Sequence, residues 1–224
     1  MLKQKLFWLP LCLYLAFIVP IMWWDIDWLL ANYWYQLEGQ QWTLRNFWLT
    51  QKVIHDGGHD LAVGVYVIIL LLYLFSFKSR LLGQYKSGLA YLSVSLPAAT
   101  LTVSLFKRLT AVDCPWSVSD FGGQHPYQSW FNSLWSPIAE AGHCFPSGHA
   151  SSAYMFFGLY FFGRYYWPTK STIILIFILS IGLIFGFDQQ VRGAHFISHD
   201  LTSAFICWFV SWFIWNIRVN SWTK

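Results

Sequence analysis

TIILIFILSIGLIFGF, residues 172–187, carries no charged side chain. It falls just short of the ~17–25 apolar residues that cross a bilayer as a helix. Five further apolar runs accompany it: residues 6–24, 61–77, 87–106, 150–167 and 201–217. Lipid offers no partner for backbone N–H and C=O groups, so such runs are helices rather than open sheet. Composition agrees. The 224 residues are 56% hydrophobic and 11% charged, where a soluble domain carries about 25% charged residues. The sequence therefore predicts an all-α, polytopic membrane protein, a single domain over residues 1–224 with six transmembrane helices. The aromatic-rich stretch Trp28–Trp48 suits short interfacial helices on one face, because Trp and Tyr prefer the headgroup level.

The first run follows Lys3 and Lys5 and has the outline of a secretory signal. It is long, however, contains Pro10 and Pro20, and ends in Met-Trp-Trp without a small-residue cleavage site. It reads as a retained span. Lys3, Lys5, Lys78, Arg80, Lys86, Arg164, Lys170, Arg218 and Lys224 all fall in the termini and two short loops on one side. Every Asp and Glu falls on the other. The positive-inside rule then makes both termini cytoplasmic. The net charge of +4 reports topology, and no basic stripe with interleaved aromatics points to nucleic acid.

All seven histidines also fall on the acidic, outer side. Three segments there carry chemistry. In Pro146-Ser147-Gly148-His149, the proline ends an extended approach and Ser147 is a natural N-cap. Gly148 lets a ligand reach backbone, and His149 sits in the first turn. The free N–H groups and partial positive charge of a helix start suit a phosphate. In Gln189-Gln190-Val191-Arg192-Gly193-Ala194-His195-Phe196-Ile197-Ser198-His199-Asp200, Gly193 breaks the chain and Ser198 is the expected cap of the sixth helix. The third segment, Lys107-Arg108-Leu109-Thr110-Ala111-Val112-Asp113-Cys114-Pro115, places two cations where the third span ends.

Together these segments resemble the three signatures of the type 2 phosphatidic acid phosphatase superfamily, which is related to vanadium haloperoxidases. That pattern is Lys-x6-Arg-Pro, Pro-Ser-Gly-His and Ser-Arg-x5-His-x3-Asp. Order and spacing agree over Lys107 to Asp200, and the chain looks most like bacterial phosphatases of lipid A or other envelope lipids. The resemblance implies that Lys107, Ser147 and the Gly148 backbone hold phosphate. It implies that His149 protonates the leaving alcohol and that His195 is the nucleophile, forming a phosphohistidine that water hydrolyses. A neutral imidazole is a usable nucleophile near pH 7. Cations and helix starts supply the charge stabilisation that phosphoryl transfer needs, so no cofactor or metal is expected.

The chain departs from the pattern at three places. The first signature's arginine is Cys114, the third's Ser-Arg is Asp188-Gln189, and its aspartate is His199, with Asp200 one place later. Neither Cys nor Gln reproduces a guanidinium fork, and Arg192 is the preferred substitute. His199, in the orienting position, can accept a hydrogen bond but supplies no negative charge; Asp200, Asp113 or Asp188 would have to. Cys114 and Cys144 each sit close before a signature proline on the outer face, where disulfides persist if the outside is oxidising. They are expected to staple the first motif segment to the second. Cys12 and Cys207 read as packing within spans.

His55, Asp56, His59 and Asp60 have an i, i+4 histidine spacing suggestive of a metal, but Gly57 and Gly58 weaken that helix and the sharper metal motifs are absent. They read as residues of a pocket mouth or as solvated side chains. Asp113, Asp120, His125, Glu140 and His143 read first as a solvated outer loop, although loops this long also serve as lids or substrate walls. The expected function is hydrolysis of a lipid phosphate or pyrophosphate monoester at the outer leaflet of a bacterial inner membrane, the partners being that substrate and membrane lipid. The alternatives are a non-catalytic lipid-phosphate binding protein, or a phosphotransferase between lipids. A transporter is disfavoured because the charges sit at span ends rather than the midplane. Oligomeric state is not legible.

Overall fold

The computed structural model describes residues 2–138 and 140–222. Among the basic residues read above, Lys224 lies outside the described residues, as does the side chain of Lys3. The described chain is all-α, with two isolated bridges in place of any sheet. In chain order the helices are α1 (Leu2–Trp23), α2 (Ile26–Leu37), α3 (Gly58–Phe75), α4 (Arg80–Gly83), α5 (Lys86–Leu109), α6 (Trp130–Trp135), α7 (Gly148–Tyr154), α8 (Phe157–Tyr166), α9 (Ser171–Val191) and α10 (Ile197–Trp222). Among the described residues, five helical stretches are long and apolar enough to cross a membrane: Gln4–Trp23, Leu49–Phe75, Lys86–Leu109, Pro168–Val191 and Ile197–Arg218. The protein is thus an integral membrane protein. The large exposed side chains along these helices, such as Leu101, Ile173 and Leu183, face lipid rather than water.

Two of the apolar runs differ in extent from the helices that carry them. The helix that carries the second run begins at Leu49, ahead of the run itself, because a π-helix over Leu49–Gly57 runs directly into α3. The fourth, expected as one span over 150–167, is two helices. Between α7 and α8 the Phe156 N–H bonds to the Ala153 carbonyl at 3.2 Å and the Gly158 N–H to Met155 at 3.3 Å. These three-residue steps tighten the turn and interrupt the α-ladder.

The same stretch is the centre of the bundle. His149 through Tyr154 are all buried. Ala150 and Phe161 join Tyr91, Leu96, Ala99 and Val103 of α5 and Cys207 of α10 in one core. Small residues allow this closeness, as they do generally between membrane helices. Gly158 lies against Leu96 and Ser95, and Gly182 of α9 against the Tyr154 ring. The core is also bolted by polar groups: the Tyr91 hydroxyl donates to the Ser211 carbonyl at 2.9 Å. Cys207 is fully buried as expected, whereas Cys12 is exposed on the outside of α1.

At the end of the bundle that carries the motifs, a second cluster forms from Ala31, Val118, Phe121 and Phe196, with Trp28, Tyr35 and Trp42 packed on it. Trp28 donates to Asp120 at 2.7 Å and Trp42 to the Phe121 carbonyl at 3.1 Å. The aromatic-rich stretch therefore forms α2 and a 3-10 turn at Thr43–Asn46, and also roofs the loop after α5. That loop is not the solvated connection expected. Asp113 is buried, accepts from the Gly142 N–H at 2.8 Å and meets His125 at 2.9 Å. The His143 ring bonds to the Thr110 carbonyl at 2.6 Å. Glu140 is exposed.

Candidate active site

The first two motif segments are laced together. Lys107 lies in the last turn of α5. Beyond it the chain runs extended, and Val112 bridges His143 while its carbonyl accepts from Cys144 N–H at 2.9 Å. The Thr110 hydroxyl donates to the Phe145 carbonyl. The expected disulfide is present: Cys114 and Cys144 are bonded, their Cα atoms 5.3 Å apart. The position where the pattern has a phosphate-binding arginine thus holds a covalent staple.

From Cys144 the chain enters α7 through a cis peptide at Phe145–Pro146. Ser147 caps α7 as expected, accepting from the Ala150 N–H at 3.4 Å. Its hydroxyl is fully buried and lies against Asp200. The start of α7 is then tied to the start of α10. The Ser147 N–H donates to the His199 carbonyl at 3.2 Å, and the Ser203 hydroxyl to the carbonyls of Ser147 and His199 at 2.8 and 3.0 Å.

The start of α10 is capped differently from expectation. Ser198 lies inside the first turn, and the cap is Asp27 of α2. Its carboxylate accepts from the Ser198 N–H at 3.0 Å and from the Ser198 hydroxyl at 2.5 Å. Burial pushes the Asp27 carboxyl up to about 6, against the lowering effect of those hydrogen bonds. Just before α10, Gly193 adopts φ 66° beneath the Trp42 indole. The Ala194 and His195 N–H groups close back on the Gln189 carbonyl at 2.9 and 3.2 Å.

These constraints converge on four side chains, His195, His199, Lys107 and His149. His195 and His199 are 5% and 0% exposed, and their Nδ1 atoms lie 3.4 Å apart. Burial, then the Lys107 charge and the neighbouring His199, hold the His195 imidazole well below the ordinary histidine value, so it is neutral at physiological pH. Lys107 reaches Gly148: a methyl added there would lie 3.6 Å from its Nζ. The His149 ring is sandwiched between Phe185 and His55, with centroids 4.5 Å away on each side. A cleft of about 300 Å³ opens between α3, α5 and α7, lined by Tyr66, Pro97 and Ser104, and runs to Gly148 and His59. A larger apolar cleft of about 390 Å³, between α1, α8 and α10, is away from these groups.

The remaining candidates are placed as follows. Arg192 is buried and its guanidinium is engaged: it lies 3.5 Å from Asp188, donates to the Arg45 carbonyl at 3.1 Å and bonds Gln51. Gln189, in the pattern's arginine position, turns its amide to Asp188 at 2.8 Å. Of the carboxylates considered for orienting His195, Asp188 faces Arg192, Asp113 faces His125 and Asp200 accepts from Gln190 at 3.1 Å. His199 is the side chain found on His195 Nδ1. Among the described residues no three His, Cys, Asp or Glu side chains gather as a metal-holding group. His55 and His59 separate, one onto His149 and the other into the cleft.

With this geometry in place, the chain's kinship is informative. The model of the PAP2 superfamily matches residues 88–223. The chain belongs to that superfamily, whose members are phosphatases acting on phosphate esters, often those of lipids. No curated protein and no solved structure matches it.

Proposed function

We propose that the protein hydrolyses a lipid phosphate or pyrophosphate monoester through a phosphohistidine on His195. The observation that carries this is the convergence of neutral His195, paired to His199, with Lys107 at the Gly148 helix start. With Nδ1 engaged by His199, Nε2 is the nitrogen left for in-line attack on phosphorus. Lys107 and the free N–H groups of α7 stabilise the equatorial oxygens. Burial, then the charges of His55 and Arg192, lower the His149 imidazole to about 3. The negative charge of a bound phosphate raises it. The ring then takes up a proton and donates it to the departing alcohol, and water cleaves the P–N bond. Ser147 acts by shaping the α7 start around Gly148. Arg192, with its guanidinium engaged, contributes positive charge from behind the site rather than a bidentate fork.

His199 replaces a carboxylate with a neutral group that still fixes the His195 ring. Full burial favours that exchange, because an unpaired charge there would be costly. The cleft that runs to Gly148 suits a substrate whose acyl chains stay in lipid while the phosphate reaches the helix start. The basic residues of the opposite loops support the reading of the site as lying on the outer, periplasmic face of a bacterial inner membrane, with both termini cytoplasmic. The test is phosphate release by purified protein in detergent from phosphatidate, phosphatidylglycerol phosphate, lipid A and a polyprenyl pyrophosphate. Release that His195→Ala and Lys107→Ala abolish is expected. Lipid binding without release from any of them would leave only a binding protein.

A further inference from the structure

The π-helix at Leu49–Gly57 lies outside the residues matched by the family model, yet it delivers a side chain to the site. A π-turn accommodates an extra residue relative to an α-turn, and such segments recur at functional positions. An extra residue rotates what precedes it by about 100° relative to the helix that follows. Here the residue so placed is His55. Its ring lies on the His149 ring at 4.5 Å with 25° between planes, opposite Phe185 at 4.5 Å and 16°. His55 is itself aimed. Its Nδ1 meets Asp56 Oδ1 at 2.9 Å, the Gln51 amide donates to the same Asp56 oxygen at 3.0 Å, and Gln51 Oε1 accepts from Arg192. A continuous chain therefore runs from the third motif, through Arg192, Gln51, Asp56 and His55, to the second motif's histidine. His149 Nε2 is buried without a hydrogen-bond partner, so stacking on both faces, rather than an Nε2 hydrogen bond, holds the ring.

We infer that His55 is a positioning residue for the general acid. It fixes the plane of the His149 imidazole so that the ring delivers its proton to the leaving oxygen. The inference rests on the reading of His149 as that acid. A general acid must sit within hydrogen-bond reach of the atom it protonates. With the His55 face open, the ring is packed on one side only and can tilt away.

The experiment compares two esters, hexadecyl phosphate and p-nitrophenyl phosphate, in detergent. The alkoxide of the first needs a proton to leave, whereas nitrophenolate leaves without one. His55→Ala is expected to lower kcat on hexadecyl phosphate ~10–100-fold, the scale of a small misplacement, and to change the p-nitrophenyl rate less than ~3-fold. His55→Phe, which keeps a flat ring on His149, is expected to restore most of the loss. His149→Ala is the reference: the same leaving-group pattern there establishes the general acid. A His149→Ala variant equally slow on both esters overturns that reading and this inference with it. If His149→Ala shows the pattern and His55→Ala does not, or His55→Phe is as impaired as His55→Ala, the positioning role alone is overturned.

Discussion

Replacing both Cys114 and Cys144 by serine removes the staple between the first two motif segments. The bond closes a loop with a sequence separation of 30. The chain-entropy relation then gives about 3.6 kcal/mol of stabilisation, chiefly by restricting the unfolded chain. For a protein of this size that corresponds to a melting temperature lower by about 7–14 °C. The surrounding contacts do not duplicate the bond: the Val112–Cys144 backbone hydrogen bond and the Thr110–Phe145 contact exist only in the folded state. Thermal unfolding in detergent, followed by tryptophan fluorescence with and without reductant, reads the effect. Reductant should bring the wild type down to the double variant and leave the variant unmoved. Coincident melting of wild type and variant, or wild-type thiols at both positions that alkylate without reductant, would refute the reasoning.

Two further predictions concern the helix starts. Burial raises Asp27 to about 6, so the folded state binds more protons than the unfolded chain between an ordinary carboxylate value and pH 6. Stability from this group is therefore present at low pH and is lost as pH rises through about 6, by an amount on the order of 2–3 kcal/mol. Asp27→Asn should flatten that part of the wild-type melting-temperature profile, and a pH dependence identical in both would contradict it. At Gly148, the added methyl of Gly148→Ala meets the Lys107 ammonium at 3.6 Å, an ordinary contact that leaves folding intact but occupies the phosphate's approach. We expect an unchanged melting temperature and a KM raised about tenfold or more, on the scale of ~1.4 kcal/mol of lost binding; unchanged KM would place the phosphate elsewhere.

Much of this was legible in the sequence because it is local. Apolar runs mark their own helices, and Ser147 and Gly148 announce a helix start from adjacent positions. The Cys114–Cys144 pairing could be read because two motifs that must meet each carry a cysteine close before a proline. What escaped depends on partners far along the chain or on register. The carboxylate on Ser198 comes from Asp27, in a helix whose aromatic composition suggested only the membrane interface. His55 read as a pocket-mouth or solvated residue because the i, i+4 spacing to His59 presumes α geometry, and sequence does not show the π-helix that turns it onto His149. Arg192 looked free to reach a phosphate because nothing in its own segment shows Gln51 or the Arg45 carbonyl waiting for it. The break between α7 and α8 is invisible to an apolar count, since Met155 and Phe156 are as hydrophobic as their neighbours.

The central claim is that His195, oriented by a histidine instead of a carboxylate, carries the phosphoryl group. Rapid quenching of the enzyme with phosphorus-labelled lipid phosphate, followed by peptide mapping under alkaline conditions that preserve phosphohistidine, tests it most directly. The account predicts label on the peptide containing His195, lost in His195→Ala. Label on His149 or His199, or phosphate release by His195→Ala at the wild-type rate, would contradict it.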